Sequence, residues 1–200
     1  MLDAQVVAFC GVALALAVTP GPDMALVLRN SLRGGRPAAF RTVAGISVGL
    51  VGWGLASAFG VAAILAASST VFTALKIAGG AYLVYLGVQT FLALRRDEPV
   101  ERAPRASGSP FRQGLVTNLL NPKLAVFFTT LLPQFISPDD PYVAKALLLA
   151  VLFVLIGLAW LTVYALVVGV VAESRRFRRT VEAISGAVLV ALGLRLAVDR

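Results

Sequence analysis

The 200-residue sequence has no histidine and one cysteine, Cys10. With one thiol, no disulfide can close within the chain, and Cys/His metal sites have no ligand set. Without histidine, a His-activated nucleophile is excluded too. Charge is also scarce, at 14% of residues, where soluble domains run near a quarter. That is too little polar surface to keep a chain of this size in solution. What is abundant is apolar: 58% of residues are hydrophobic and the mean hydropathy is +0.86, which points to lipid as the solvent. The few charges are one-sided, 18 Lys+Arg against 10 Asp+Glu, for a net +8.

The charge-free runs locate membrane spans. Nineteen uncharged residues separate Asp3 from Asp23, thirty-four separate Arg41 from Lys76, and twenty-seven separate Lys145 from Glu173. A spanning helix needs about 20 apolar residues. The expected fold is an all-α integral membrane protein with six transmembrane helices, at 4–28, 42–67, 71–94, 114–136, 146–171 and 181–198. The Met-Leu-Asp start has no basic region and no cleavage-type ending closes the apolar stretch, so the first stretch reads as a retained span. Lys76 and Glu182 lie a few residues inside their spans, within snorkelling reach of headgroups.

Orientation comes from the arginines. Arg29, Arg33, Arg36 and Arg41 fill the first connection; Arg95, Arg96, Arg102, Arg105 and Arg112 the third; and Arg175, Arg176, Arg178 and Arg179 the fifth. The second connection is uncharged and the fourth, Ser137 to Pro141, is acidic. The positive-inside rule then makes the basic loops cytoplasmic and both termini external. Arginines split among short loops do not make a nucleic-acid site. Their expected partners are anionic lipid headgroups. Residues 95–113 mix charge with Pro, Ser and Gly and read as a solvated linker.

That linker divides the chain into two three-span halves, 1–94 and 114–200. Gly80–Gly87 and Gly186–Gly193 agree at six of eight positions at an offset of 106. Prolines interrupt the first span, at Pro20 and Pro22, and the fourth, at Pro122. An odd number of spans per half places the halves in opposite orientations. The pattern is that of two inverted three-helix repeats with helices 1 and 4 broken by proline, the plan of many secondary transporters.

Two charges lie deep in this plan. Asp23 and Lys123 fall at similar depth, where a charge needs a partner or water. Pro22 and Pro122 suit the first position of a resumed half-helix, and Asn121 is a good N-cap. Asp23 is then favoured by the helix dipole. Lys123 beside free N–H groups would make a doubly positive spot suited to a carboxylate. The expected ligand is a zwitterionic amino acid, with its carboxylate near Asn121–Lys123 and its amine near Asp23. Thr19, Gly21 and Asn118 complete the candidate site, with Asn118 also placed to satisfy a carbonyl freed by the break. Asp23 is the proton-coupling candidate, and a structural Asp23–Lys123 ion pair is the alternative. Gly45 and Gly49 have a close-packing spacing. Trp53, Tyr82, Tyr85 and Tyr164 suit either a cavity or an aromatic belt. Gln134, Ser47 and Ser57 are minor polar candidates.

These residues carry a resemblance. Thr19-Pro20-Gly21-Pro22-Asp23, Arg29 to Gly35, Gly45 to Gly49, Lys76 to Leu83, Asn118 to Lys123 and Leu132 to Phe135 resemble, in order and over nearly the whole chain, the LysE-type translocators, the lysine exporter and homoserine/threonine resistance group. The resemblance implies a bacterial inner-membrane exporter of amino acids or close derivatives, driven by the proton gradient, with no cofactor. A single deep carboxylate favours a neutral substrate over a dicationic one. The other classes considered are a metal or inorganic-ion exporter, a membrane enzyme, and a structural subunit. An ion exporter would want several carboxylate or sulfur ligands, and an enzyme an acid–base set. Homo-oligomerisation is left open.

Overall fold

The computed structural model describes residues 4–61, 68 and 108–171, with helical positions 70–71, 73–74, 77–79, 81–82, 84–85, 88, 92, 183, 187, 190–191 and 194. Among these residues every regular element is helical and none is a strand. Helix α1 covers Ala4–Val18 and α2 covers Pro22–Leu55, running into a π-helical turn at Ala56–Val61. Helix α3 is Pro110–Leu119 and α4 is Pro122–Val126. A π-helical segment, Phe127–Leu131, and a 3-10 turn, Leu132–Phe135, extend α4. Helix α5 is Tyr142–Val171. Lys76, Glu182, the arginines of 95–105 and 175–179, about half of the 80–87/186–193 repeat and of the expected third span, and most of the expected sixth span lie outside the described residues.

By length and composition Tyr142–Val167 can cross a membrane, and so can Pro22–Val61, whose helix is interrupted at Gly34–Gly35. Pro110–Leu119 and Pro122–Phe135 form a third apolar unit bent by 47°. With 15 residues, α1 reaches only about 22 Å, short of the ~30 Å hydrocarbon core. Alone it does not span; a full crossing needs the first turns of α2 as well.

The long α2 is not one rod. Gly34 and Gly35 leave helical geometry, Gly35 at φ 65°, a left-handed conformation that glycine adopts without a Cβ clash. The chain reverses there. Asn30 Nδ2 donates to Thr42 Oγ1 at 2.8 Å, whereas twelve residues of straight helix would separate them by about 18 Å. The first connection is therefore much shorter than expected. Arg29, Arg33, Arg36 and Arg41 sit in helical limbs 22–33 and 36–55, on either side of a two-glycine reversal. The third connection also ends early, since α3 begins at Pro110 under a Ser109 cap and places Arg112 in helix.

Glycines set how closely α2 and α3 pack. A Cβ on Gly45 would collide with the Phe111 carbonyl oxygen, and one on Gly114 with the Thr42 carbonyl oxygen. The close-packing reading of Gly45 and Gly49 therefore holds, and α3 supplies a matching glycine. In lipid, such backbone approach replaces the hydrophobic drive available in water. Further along, five buried phenylalanines join α1, the α4 extension and α5. Phe127 lies 4.5 Å from Phe153 and 5.9 Å from Phe9 by ring centroid, with Phe128 and Phe135 edge-on to the group. Ser57 Oγ donates to the Phe128 carbonyl oxygen, so one π-helical turn satisfies a group in the other.

Candidate functional site

The site forms where α1 stops and α2 starts, opposite the α3–α4 bend. Thr19 ends α1 by turning back on it: both its N–H (3.1 Å) and its hydroxyl (2.7 Å) donate to the Ala15 carbonyl oxygen. Pro20 and extended Gly21 come next, and Pro22 begins α2 at the position where a missing N–H is harmless. Asp23 falls in the first turn, at the positive end of the α2 dipole.

Across from it, Asn121 caps α4 as expected. Its Oδ1 accepts from the Lys123 N–H at 3.1 Å, and its carbonyl accepts from the Leu124 and Ala125 N–H groups, each at 3.1 Å. This capping overturns one expectation. The N–H groups thought free to hold an anion are already engaged, so of the doubly positive spot only the Lys123 ammonium remains. That ammonium does not stay at its own helix start. It reaches over to donate to the Thr19 carbonyl oxygen at 3.2 Å, at the negative end of α1. Both deep charges thus sit at the helix ends that favour their sign.

Asn118 also departs from expectation. Its Nδ2 donates to Asp23 Oδ2 at 2.9 Å rather than to a freed carbonyl, with Asn121 Nδ2 further off at 3.5 Å. Its own carbonyl oxygen accepts from Trp53 Nε1 at 3.2 Å, which holds the partly buried Trp53 against α3. Asp23 and Lys123 are close enough to attract. The other carboxylate oxygen, Asp23 Oδ1, is enclosed and has no hydrogen-bond partner, as is Asn118 Oδ1. Asp23 is therefore half-satisfied: one oxygen is held by two amides, the other waits for a donor.

Thr19, Gly21, Asp23 and Lys123 together line one pocket, a cavity of about 40 Å³. That is room for a few waters. Of the expected residues, Asn118 and Asn121 stand behind the pocket and hold Asp23, while Pro20, Pro22 and Pro122 occupy the two helix interruptions. The far wall is α5, with Phe153, Gly157 and Trp160. Sequence reasoning misses these three, because a helix apolar on every side offers no contrast by which to choose a face. Gln134 donates to the Thr130 carbonyl and Ser47 to the Val43 carbonyl, both within their own segments. Tyr82 and Tyr85 pack on each other at 6.0 Å, and Tyr164 lies against the core. Among the described residues no three His, Cys, Asp or Glu side chains gather in one place.

A second polar cluster ties α2 to α3 just under two turns beyond Asp23. Gln113 Oε1 accepts from Arg29 Nη2 at 2.7 Å and from Asn30 Nδ2 at 3.1 Å, and Gln113 Nε2 donates to the Gly108 carbonyl at 2.7 Å.

Comparison with known proteins identifies the family. A family model described as LysE type translocator matches residues 14–200. The threonine efflux protein of Escherichia coli (strain K12) is 28% identical over 92% of each chain. The homoserine/homoserine lactone efflux protein of Salmonella typhimurium is 33% identical over 75% of this chain and 73% of its own. An uncharacterized membrane protein of Bacillus subtilis is 29% identical over 98% of this chain and 99% of its own. No solved structure matches.

Proposed function

The chain belongs to the LysE type translocators, and on that premise we propose that it exports a neutral amino acid or close derivative across the bacterial inner membrane. The half-satisfied Asp23 carboxylate carries the reading. It is the one deep anion among the described residues, and its open oxygen Oδ1 faces no donor. A substrate ammonium supplies the missing donor there, and the Lys123 ammonium, released from the Thr19 carbonyl, takes the substrate carboxylate. The threonine and homoserine efflux relatives support a neutral substrate, as does the absence, among the described residues, of a second deep carboxylate for a dication.

The rest of the proposed cycle rests on sequence pattern. The two halves act as inverted repeats, six spans place the arginine-bearing connections in the cytoplasm, and protons drive export through Asp23. Counterflow in proteoliposomes against a panel of labelled amino acids tests the reading. Neutral amino acids should exchange, and Asp23→Asn should abolish exchange while leaving membrane insertion intact. Wild-type exchange by Asp23→Asn, or no exchange with any amino acid, would remove the reading.

A further inference from the structure

The buried glycines of this fold do not all serve one purpose. A Cβ on Gly45 or Gly114 would strike the backbone of the facing helix, and one on Gly54 would fall 2.7 Å from Ala150 Cβ. Those three let helices touch. Gly157 is different. It is buried in α5, yet among the described residues only the Leu50 Cδ1 methyl would lie within 4 Å of a Cβ there, at 3.2 Å. That methyl ends a flexible side chain and can yield by a few tenths of an ångström. Packing of helix on helix therefore does not call for glycine at 157, and glycine is a poor residue for a helix interior.

What Gly157 does border is the Asp23 pocket. Phe153, Gly157 and Leu161 stand at i, i+4 and i+8, so they form one stripe along α5. All three are buried and all three line the pocket. Between two large side chains the glycine leaves a notch. The wall around it is apolar, with Ile46 and Leu50 coming from the second limb of α2. The one polar side-chain atom on this wall, Trp160 Nε1, is enclosed by protein and adds no polar surface to the pocket. The polar lining, Thr19, Asp23 and Lys123, belongs to the helix interruptions across from α5. A substrate whose ammonium and carboxylate are held at those interruptions has its side chain left to face α5.

We infer that Gly157 is a specificity-determining residue: its notch receives the end of an uncharged, apolar substrate side chain, and the site sorts neutral amino acids by the bulk that the notch admits. This rests on the amino acid reading of the pocket and adds the residue that sets the side-chain limit. The limit is one of size and carbon surface, not of the hydroxyl group carried by the threonine and homoserine in the relatives' names. In an apolar slot one methylene more or less is worth about 10–200-fold, and a methyl on Gly157 takes the place of roughly one substrate carbon.

Alanine and leucine are the probes, since both are neutral and they differ in side-chain bulk. Full-length wild type, Gly157→Ala and Gly54→Ala are assayed for counterflow of each in proteoliposomes. Wild type should exchange both. Gly157→Ala should lower the ratio of leucine to alanine exchange by at least about tenfold, through a higher apparent KM for leucine. Gly54→Ala presses on Ala150 and does not line the pocket. It should depress both substrates alike and keep the wild-type ratio. A wild type that exchanges alanine but refuses leucine overturns the inference. So does an unchanged ratio in Gly157→Ala, an equal loss of both substrates there by misfolding or otherwise, or the same fall in ratio in Gly54→Ala; each leaves Gly157 a packing residue. Exchange of no amino acid by the wild type refutes the earlier reading of the pocket and takes this inference with it.

Discussion

A methyl group placed where it touches no ligand should disable the site. Gly49 lies on the limb of α2 that faces α3, and a Cβ built there falls 2.5 Å from Asn118 Oδ1 and 3.0 Å from both Cβ and Cγ of the same side chain. Real Cβ atoms do not approach so closely, so in Gly49→Ala the Asn118 side chain must move. It cannot move without loosening its 2.9 Å bond to Asp23. One displacement thus has two effects. Overpacking a tight interior costs about 1–3 kcal/mol, and a hydrogen bond to a charged group is worth about 1.5–3 kcal/mol. They share a cause and will not add fully, so about 2–4 kcal/mol is the expected loss. Gly52 provides the control on the same helix, one turn on: its Cβ would lie 3.6 Å from Leu119 Cδ2, an ordinary contact. Thermal unfolding in detergent, with counterflow on the same preparations, should rank wild type and Gly52→Ala together and Gly49→Ala well below. Equal midpoints and equal exchange for the two alanine variants would refute the view that Gly49 exists to seat Asn118 against Asp23.

Two further substitutions probe the neighbouring contacts. Lys123→Met keeps the length of the side chain and removes its charge; amino acid exchange should fall at least about tenfold, the scale of one lost charged hydrogen bond, and normal exchange would show that Lys123 serves the fold alone. Gln113→Ala removes the acceptor shared by Arg29 and Asn30 and should lower stability by about 1–2 kcal/mol, read as a reduced unfolding midpoint in detergent, whereas an unchanged midpoint would show the cluster to be incidental.

Local chemistry is legible in the sequence wherever one residue type has a narrow set of uses. Proline at the first helical position, Asn121 as a cap and the Gly45–Gly49 spacing each declare their geometry through backbone constraints that hold in any fold. Gly34–Gly35 mislead for an understandable reason: four arginines around them suggest a solvated loop, yet arginine is a good helix former and two glycines suffice to turn a chain. The orientation of Lys123 is hidden because it depends on the end of another helix, Thr19, one hundred and four residues away. Asn118 can be placed near the break from its spacing alone, but whether its amide serves a carbonyl or a carboxylate is a matter of tertiary contact. The α5 wall leaves no trace in the sequence, since Phe153, Gly157 and Trp160 sit in a helix with no polar face to mark the inside.

The reversal at Gly34–Gly35 also limits which parts of the molecule can move. Two residues give no slack, and the Asn30–Thr42 bond staples the limbs together just behind the turn. Asp23 at the head of one limb and Gly49 on the other therefore travel as a single lever, braced against α3 by backbone contact at Gly45 and Gly114. Enlarging a 40 Å³ cavity to admit a solute must then draw on the pieces not so braced. The short link from Thr19 to Gly21, where Gly21 is extended, joins the lever to α1 as a hinge, and the π-helical segment after α4 has a hydrogen-bond ladder already out of register. The substrate's passage would be made by α1 and the α4 extension swinging past a fixed carboxylate.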